Sequence, residues 1–316
     1  MRILFVTANR VGDAVLSTGI LAHLVAKYPK AQVTVVAGPA AASLFRTLPN
    51  LGRLIVMEKK RYGTHWLALW RGCAAHRWDI IVDLRRSALA YCLLADQRFV
   101  IPKAKHEMHR VELIASTIGL RAKPPPPKLW LERSPKNPAK SIQRIAIAPA
   151  ANWIGKQWPA KRFTELAVRL TAKTGLFPDA QIAVFAAEAE RDQVQLLLEN
   201  LPAERCEDFV GAGDLSDVAS LLNLCDFFVG NDSGLMHMSA ALGIPTLGLF
   251  GPSRPEHYAP WGPKCSYVRT KESYEELVGT PGYDHRTTGS LMGNLTIDAV
   301  EFAASKLVEN LGITQK

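Results

Sequence analysis

Three turns in this 316-residue sequence carry side chains of types that perform catalysis. The first of these turns contains Asp13. This turn, residues 8–13, follows the short apolar run 3–7 and opens an amphipathic stretch over 13–27. A carboxylate at such a turn can act as a general base that removes a proton from an attacking hydroxyl. It can equally stabilise the start of a helix through the helix dipole, so both roles stay open. The turn has no G-x-G-x-x-G pattern, which argues against a dinucleotide site.

The second turn spans residues 149–159 and contains Asn152 and Lys156. Backbone N–H groups, the Asn152 amide and the Lys156 ammonium could together hold a phosphate at the start of the next helix. The turn lacks the glycine spacing and the hydroxyl residue of a P-loop, and a single loop lysine commonly faces solvent. We expect Trp158 and Pro159 to anchor this loop by packing and to begin the helix that follows.

The third turn, residues 230–237, follows a hydrophobic run and opens a stretch of small residues. Asp232 and Ser233 are strong candidates for the N-cap of a helix. The glycines of the same turn permit close approach of a ligand, so the helix start could instead hold a diphosphate, with Asp232 contacting a sugar hydroxyl. His237 lies one turn further on, where it could either pack in the core or face the phosphates. Residues 251–253 end the next run and could close the site.

Missing patterns exclude several classes of site. The sequence has no D-x-D, no H-x-x-x-H and no C-x-x-C, so we expect no metal site. It has no G-x-S-x-G nucleophile elbow. Five dispersed cysteines are typical of a reducing compartment. The first apolar run is too short for a signal peptide, and the uncharged run 233–253 is broken by glycine and proline, so we expect a soluble cytoplasmic protein.

The charge is divided unevenly along the chain. The whole protein has a formal net charge of +9, but residues 1–143 carry a net +15 and residues 144–316 a net −6. This asymmetry predicts that the first half faces an anionic partner, either nucleic acid, an acidic membrane or a phosphorylated substrate. A basic surface that only promotes solubility is the alternative. The sequence lacks an RNA-recognition motif, and the spacing of Trp66, Trp70 and Trp78 is typical of core residues. Nucleic acid is therefore the least supported of the three anionic partners.

Short β-branched runs alternate with helical stretches on both sides of a run of four prolines at residues 124–127. Strand-like runs are predicted at 3–7, 32–36, 54–57, 80–84, 98–101, 145–148, 182–186, 208–210, 227–229 and 246–250. Helical stretches are predicted near 13–27, 40–48, 64–76, 87–95, 107–118, 160–173, 188–200, 215–224, 233–242 and 297–311. Strands without polar alternation that are separated by helices indicate parallel sheets buried on both faces.

The pattern therefore predicts two Rossmann-like α/β domains, with ligands at the carboxyl ends of the strands. We place the first domain at residues 1–123, a proline-rich linker at 124–143 and the second domain at 144–316. The last helix could pack back on the first domain.

Four segments together resemble glycosyltransferase family 9, the family of ADP-heptose:lipopolysaccharide heptosyltransferases. The segments appear in the family's order and cover nearly the whole chain: 12–18, 156–159, 230–246 and 250–253. The resemblance implies a GT-B fold, in which two Rossmann-like parallel-sheet domains face a central cleft. It also implies an inverting, metal-independent enzyme without cofactor, whose second domain binds a nucleotide-sugar and whose first binds the acceptor.

The same resemblance implies roles for individual residues. Asp13 would deprotonate the acceptor hydroxyl, Lys156 would neutralise the leaving diphosphate, and Asp232 would hydrogen-bond the donor sugar or ribose. Glu188 matches an acidic position that faces the nucleoside. The residues implied to line the diphosphate are Ser233, Gly234 and His237, and Asn152 completes the donor-binding set.

Acceptors in this family are anionic lipid A–Kdo cores at the inner face of the cytoplasmic membrane, which fits the basic first half. That half is implied to bind the glycolipid at the membrane surface, not nucleic acid. The candidate acceptor-binding residues have cationic side chains suited to carboxylates and phosphates, and they are Arg61, Arg85, Arg86, His109 and Arg110.

Some positions depart from the family pattern. Ala151 and Asn152 stand where hydroxyl residues are common, Ser290 stands where a cysteine is common, and residues 283–286 match no family motif. These departures leave two alternatives open. The protein could use another nucleotide-sugar for a different surface glycan, or it could bind a sugar-nucleotide or lipid without catalysis.

Overall fold

The computed structural model describes residues 1–104, 107–132, 143–279 and 283–313. The chain forms two compact units, Met1–Glu132 and Arg133–Lys316. Each unit is built around its own parallel sheet. No helix in the described part of the chain is both long enough and apolar enough to cross a membrane.

The first unit contains a parallel sheet with the strand order β3-β2-β1-β4-β5 in its described residues. Its strands are β1 (Arg2–Val6), β2 (Gln32–Ala37), β3 (Leu51–Val56), β4 (Trp78–Asp83) and β5 (Ala95–Val100). Its helices are α1 (Val11–Lys27), α2 (Pro39–Ala42), α3 (Thr64–Ala74), α4 (Leu89–Cys92) and α5 (Arg110–Ser116). Strand β1 lies between β2 and β4, where the strand order reverses, and such a reversal is where sheets of this kind bind ligands.

The run of four prolines packs against α1. Lys128 N donates to Thr18 Oγ1 at 2.9 Å. A Cβ atom at Gly19 would lie 2.3 Å from the carbonyl oxygen of Pro125, so only glycine permits this approach. Residues 124–132 therefore belong to the first unit, although they fall within the linker predicted at 124–143. Residues 133–142 of that linker lie outside the described residues.

The second unit contains a parallel sheet with the strand order β11-β10-β9-β6-β7-β8 in its described residues. Its strands are β6 (Arg144–Ala148), β7 (Gln181–Val184), β8 (Cys206–Asp208), β9 (Phe227–Asn231), β10 (Thr246–Phe250) and β11 (Cys265–Arg269). Its helices are α6 (Ala160–Thr171), α7 (Arg191–Asn200), α8 (Leu215–Leu222), α9 (Gly234–Ala241), α10 (Pro255–Tyr258), α11 (Tyr274–Val278) and α12 (Ile297–Asn310). The last helix, α12, packs against β10, β11 and α6.

The core of the second unit joins one face of the sheet to the helices that cover it. Ile147, Val184 and Val229 are fully buried in this core, together with Phe163 of α6 and Val300 of α12. Strands buried in this way need no alternation of polar and apolar residues. This explains why the uninterrupted apolar runs of the sequence are the strands of two parallel sheets, as predicted.

Candidate functional site

The carboxyl edge of the first sheet brings Asp13 and Arg110 together. Asp13 lies in the first turn of α1, which follows β1, and Arg110 is the first residue of α5. Arg110 Nε donates to Asp13 Oδ1 at 3.0 Å, and the two side chains are 23% and 17% exposed respectively. The guanidinium of Arg110 holds the partly buried Asp13 carboxylate in one orientation, and this carboxylate remains accessible to a ligand.

Arg85 lies at the same edge, in the turn after β4. Its guanidinium donates to Asn9 Oδ1 at 3.0 Å and lies over the ring of Trp66, 5.1 Å from the centroid. Burial lowers the pKa of Arg85 from its usual value. The turn is fixed by the buried carboxylate of Asp83, which accepts hydrogen bonds from the backbone N–H groups of Arg85 and Ser87, each at 2.8 Å.

The other predicted acceptor-binding residues have different surroundings. Arg61 is exposed and lies over the ring of Tyr62, 4.9 Å from its centroid. Arg86 is also exposed and has a positive φ of 53°. His109 is buried and caps α5, where its Nδ1 accepts from the backbone N–H of Val111 at 3.2 Å. The structure thus brings Arg85 and Arg110 to the carboxyl end of β1. His109 instead caps α5, the helix that begins at Arg110.

In the second unit, Asn231 fixes the long turn after β6. Its side-chain amide donates to the carbonyl oxygen of Pro149 at 2.6 Å, and its Oδ1 accepts from the backbone N–H of Trp158 at 3.2 Å. The indole of Trp158 is fully buried and donates to the carbonyl oxygen of Leu295 at 2.8 Å. Pro159 is the N-cap of α6. The predicted packing of Trp158 and the helix start at Pro159 are therefore confirmed.

This anchoring places Lys156 beside Asp232. The Lys156 ammonium donates to Asp232 Oδ2, and the side chains are 22% and 7% exposed. Asp232 follows β9 directly, and Gly234 begins α9. A cation, a carboxylate and a helix N-terminus therefore meet at the carboxyl edge where the strand order of the second sheet reverses. Such a group of charges suits a ligand that carries phosphates and hydroxyls.

Three buried polar atoms at neighbouring turns of this edge have no hydrogen-bond partner among the described residues: Trp153 Nε1, Ser233 Oγ and Ser253 Oγ. They follow β6, β9 and β10, which are adjacent strands. Ser233 is the N-cap of α9 but makes no capping bond with its side chain. Buried polar groups nearly always have partners in the native state, so unsatisfied donors at one edge indicate a ligand with several acceptor oxygens. His237 is buried one turn into α9.

The remaining predicted donor residues lie further out. Asn152 is exposed. Glu188 is 69% exposed at the turn after β7, where it accepts from Arg191 Nε at 3.2 Å. Gly211, at the turn after β8, has a φ of +70°, and a Cβ atom there would lie 2.2 Å from the Glu188 carboxylate. Glu188 thus closely approaches the turn after β8, and among the described residues its side chain bonds to Arg191 and not to Lys156 or Asp232.

A segment near the C-terminus holds the turn after β6 in place, and the sequence did not indicate this. Ser290 Oγ donates to the carbonyl oxygen of Gln157 at 2.6 Å, and Leu291 N donates to that of Gly155 at 3.0 Å. Tyr283 contacts Trp153 edge to face, with 6.4 Å between ring centroids. Ser290 and Tyr283, two of the positions that depart from the family pattern, therefore support the loop that carries Lys156.

Two further findings concern other kinds of site. A cavity of about 260 Å³ lies between β3 and α3, and none of the predicted site residues line it. Within the described ranges, no three histidine, cysteine or acidic side chains are grouped as metal ligands.

Known proteins resemble this chain both in sequence and in fold. The model of glycosyltransferase family 9 (heptosyltransferase) matches residues 68–280. Lipopolysaccharide heptosyltransferase 2 of Salmonella typhimurium is 26% identical, in an alignment that covers 88% of this chain and 90% of the relative.

Two solved structures are similar along almost the entire chain. A family 9 glycosyl transferase from Veillonella parvula matches with a TM-score of 0.77 at 20% identity, covering 98% of this chain and 97% of that one. The Escherichia coli ADP-heptose lps heptosyltransferase II matches with a TM-score of 0.74 at 23% identity, covering 99% and 100%. The predicted GT-B fold, with its two Rossmann-like domains, is confirmed.

Proposed function

This chain belongs to glycosyltransferase family 9, the heptosyltransferase family, and we propose that this glycosyltransferase moves a heptose from an ADP-heptose to the core of lipopolysaccharide. The observation that carries the proposal is the likeness to lipopolysaccharide heptosyltransferase 2 over 90% of that relative's length. The E. coli structure with the same fold is described as an ADP-heptose lps heptosyltransferase. Similarity over the full length supports a shared reaction more strongly than a single matching domain would.

The second unit is proposed to bind the donor. Lys156 and the N-terminus of α9 would hold the diphosphate, and the unsatisfied hydroxyls of Ser233 and Ser253 would donate to its oxygens. Asp232 would lose part of its contact with Lys156 and accept a hydrogen bond from a hydroxyl of the sugar or ribose. Gly234 and His237 would line the diphosphate, and Asn152 and Glu188 would contact the outer parts of the donor.

The first unit is proposed to bind the acceptor and supply the base. The acceptor oxygen attacks the anomeric carbon, its proton passes to the Asp13 carboxylate, and the bond from that carbon to the diphosphate oxygen breaks. A single displacement of this kind inverts the anomeric configuration. The departing ADP carries the negative charge, which Lys156 stabilises. Arg85 and Arg110 would contact anionic groups of the acceptor, and Arg61, Arg86 and His109 complete the proposed set.

We propose that transfer needs no metal ion, because Lys156 and the helix start can neutralise the leaving group. The lysine ammonium is already at the carboxyl edge beside Asp232. Equal transfer rates in EDTA and in added Mg²⁺ would support this proposal. A rate that collapses in EDTA and returns with metal would contradict it.

The proposed reaction is tested by incubating the purified chain with ADP-heptose and a truncated lipopolysaccharide core, with ADP-glucose, UDP-glucose and GDP-mannose as alternative donors. Formation of a core extended by one heptose, with ADP released in equal amount, is the expected result. NMR of the product reports the anomeric configuration. Transfer only from another nucleotide-sugar would overturn the heptose assignment, and tight nucleotide binding without transfer to any acceptor would favour a binding protein.

A further inference from the structure

Glu272 has a carboxylate oxygen, Oε2, that is buried and has no hydrogen-bond partner among the described residues. The other oxygen, Oε1, accepts a hydrogen bond from the side-chain amide of Asn294. Buried polar atoms nearly always have partners, because an unpaired one leaves its desolvation cost uncompensated. None of the roles given above to the donor and acceptor residues uses this carboxylate.

The main chain holds the carboxylate in an ordered turn. The carbonyl oxygen of Glu272 accepts from the Arg269 guanidinium at 2.8 Å. The next residue, Ser273, is the N-cap of α11 and shares a capping box with Glu276. In this box Ser273 N donates to Glu276 Oε2 at 2.6 Å, and Glu276 N donates to Ser273 Oγ at 3.1 Å. The unpartnered oxygen is therefore not carried by a loose loop.

Glu272 lies at the sheet edge that also carries Asp232. Thr270 N, directly after β11, donates to the carbonyl oxygen of Phe250, the last residue of β10, at 3.0 Å. The turn of Glu272 thus follows the carboxyl end of β11, as the turn of Asp232 follows that of β9. Strands β9, β10 and β11 are adjacent. Neighbouring strands are about 4.8 Å apart, so the turns after β9 and β11 are about 10 Å apart.

Residues 291–294 join the turn of Glu272 to the turn after β6. Leu291 N donates to the carbonyl oxygen of Gly155 at 3.0 Å. Three residues later, Asn294 donates to Glu272. One short segment therefore holds the Glu272 carboxylate and the turn that carries the lysine of the proposed donor site.

The chemistry of the unpartnered atom restricts what it can bind. An ionised carboxylate accepts hydrogen bonds and donates none, so the missing partner must be a donor. Phosphate oxygens are acceptors and cannot fill this role, whereas a sugar hydroxyl can. In the proposed donor site, Lys156 and the start of α9 hold the diphosphate, and the nucleoside lies toward Glu188 after β7. The sugar on the other phosphate then lies toward β10 and β11.

We propose that Glu272 Oε2 accepts a hydrogen bond from a hydroxyl of the transferred sugar and so helps to select the sugar of the donor. This inference rests on the proposed function for the position of the diphosphate. Asn294 orients the carboxylate by holding its other oxygen. A nucleotide without a sugar leaves Oε2 unpaired, so the effect of Glu272 is the difference in affinity between a nucleotide-sugar and its nucleotide.

The test is calorimetry of the full chain with ADP, ADP-heptose and ADP-glucose. Glu272→Gln keeps the shape of the side chain and removes its charge. We expect its affinity for the ADP-sugars to fall about tenfold, because a hydrogen bond to a charged acceptor is lost, while its affinity for ADP is unchanged. Asn294→Ala should weaken ADP-sugar binding in the same direction, and it provides a second variant should Glu272→Gln fold poorly.

The matched control is Glu207→Gln. Glu207 is also a partly buried carboxylate of the second unit, but both of its oxygens accept from Arg144 Nε, at 3.2 and 3.0 Å. This variant should bind ADP and the ADP-sugars as the wild type does. The Tm of each variant without ligand is measured in parallel. A purely structural Glu272 would lower the Tm of Glu272→Gln and leave all three affinities unchanged, which would overturn the proposal.

The outcomes separate this proposal from the proposed function. Equal losses of ADP and ADP-sugar affinity in Glu272→Gln would assign Glu272 to the nucleotide and overturn the sugar contact. Heptose transfer by the wild type together with unchanged ADP-sugar binding by Glu272→Gln would overturn the sugar contact alone. If the wild type transfers no heptose, but Glu272→Gln still loses affinity for ADP-glucose and not for ADP, the proposed function fails and the sugar contact stands.

Discussion

Arg110 Nε donates to Asp13 Oδ1 at 3.0 Å, although the two residues are 97 positions apart in the sequence. The contact joins the start of α5 to the first turn of α1, and these helices pack against each other. It fixes one oxygen of the carboxylate at the edge of the sheet. A general base must be held in one orientation to be effective, so this ion pair would prepare Asp13 for the proposed proton transfer.

Replacing Asp13 with asparagine should abolish most of the transfer activity. The amide keeps the shape of the side chain but cannot accept a proton, so we expect kcat to fall by about 10²–10⁴-fold. ADP affinity, measured by calorimetry, should remain unchanged because the proposed donor residues are in the second unit.

The matched control for that variant is Asp298→Asn. Asp298 is also in the first turn of a helix and pairs with an arginine, Arg169, at 2.7 Å. If Asp13 served only the helix dipole, both substitutions would act on stability alone and neither would slow transfer. A full transfer rate in Asp13→Asn would remove Asp13 from the mechanism.

Arg110→Gln distinguishes two roles for the guanidinium. If Arg110 chiefly orients Asp13, the variant should lower kcat by about tenfold or more with little change in the acceptor KM, since a misplaced base slows the chemical step. If it binds the acceptor instead, KM should rise and kcat should hold. Steady-state kinetics with varied acceptor give the answer. Because Arg110 both holds Asp13 and is proposed to contact the acceptor, we expect kcat to fall and KM to rise. A variant in which only KM rises would contradict the positioning role.

The buried strands were predictable because burial on both faces requires one simple sequence pattern. Residues 3–6 of β1 are fully buried on both faces of a parallel sheet, and such a strand needs an uninterrupted apolar run. Strand β11 escaped prediction for the opposite reason. It lies at the edge of its sheet, is only half-buried, and contains polar residues at its start and end. A short mixed segment of this kind has no periodicity to detect.

The tryptophans of α3 show how spacing alone can mislead. Trp66 and Trp70 are four residues apart, and we expected them in the core. The helix instead buries the adjacent stripe of His65, Leu69 and Cys73. Trp66 is half-buried under Arg85 and Trp70 is 39% exposed, so the core prediction is wrong for Trp70. Two neighbouring apolar stripes fit the same helical period, and only the contacts of the folded protein decide between them.

The turns of the candidate site could be found in the sequence, but their partners could not. Lys156 and Asp232 each follow a recognisable strand, and neighbouring parallel strands bring them together. The support of the Lys156 loop by Ser290 depends on a hydrogen bond across 133 positions. No local pattern encodes such a contact, because it arises from the packing of the C-terminal segment on the second unit.

The cysteines should differ sharply in alkylation. Burial raises the pKa of the Cys73 thiol to about 11, whereas Cys92 is exposed. Only the thiolate reacts, so at pH 8 about one Cys73 in a thousand would be reactive even if iodoacetamide could reach it. Raising the pH from 8 to 10 should increase the Cys73 rate about tenfold per unit, because below the pKa the thiolate fraction rises about tenfold with each pH unit. Mass spectrometry follows both sites, and labelling of Cys73 as fast as Cys92 at pH 8 would contradict this.

Lys156→Ala should impair both donor binding and turnover. Without the ammonium, the developing charge on the diphosphate loses one stabilising group, and we expect kcat to fall by about 10²–10³-fold. Lys161→Ala, an exposed lysine on the next helix, is the matched control and should be neutral. Calorimetry with ADP measures binding, and the transfer assay measures turnover. Equal effects of the two substitutions would show that Lys156 contributes only to the overall positive charge of the protein.

Ser253→Ala should separate ligand binding from stability. The Ser253 hydroxyl is buried without a partner among the described residues, so its removal relieves an uncompensated desolvation cost. The Tm of the variant without ligand should therefore be unchanged or higher. If the hydroxyl donates to a bound diphosphate, the rise in Tm on adding ADP should shrink, since the stabilisation by a ligand follows its affinity.

Ser239→Ala provides the contrast. Ser239 is equally buried, but its hydroxyl is hydrogen-bonded to Thr246 Oγ1 at 2.9 Å. Removing it leaves the threonine hydroxyl with one bond fewer and should cost about 1 kcal/mol of stability, without changing the ADP-dependent rise in Tm. Differential scanning fluorimetry with and without ADP tests both variants. If Ser253→Ala lowers the Tm of the free protein as much as Ser239→Ala does, Ser253 is a structural residue and not a ligand contact.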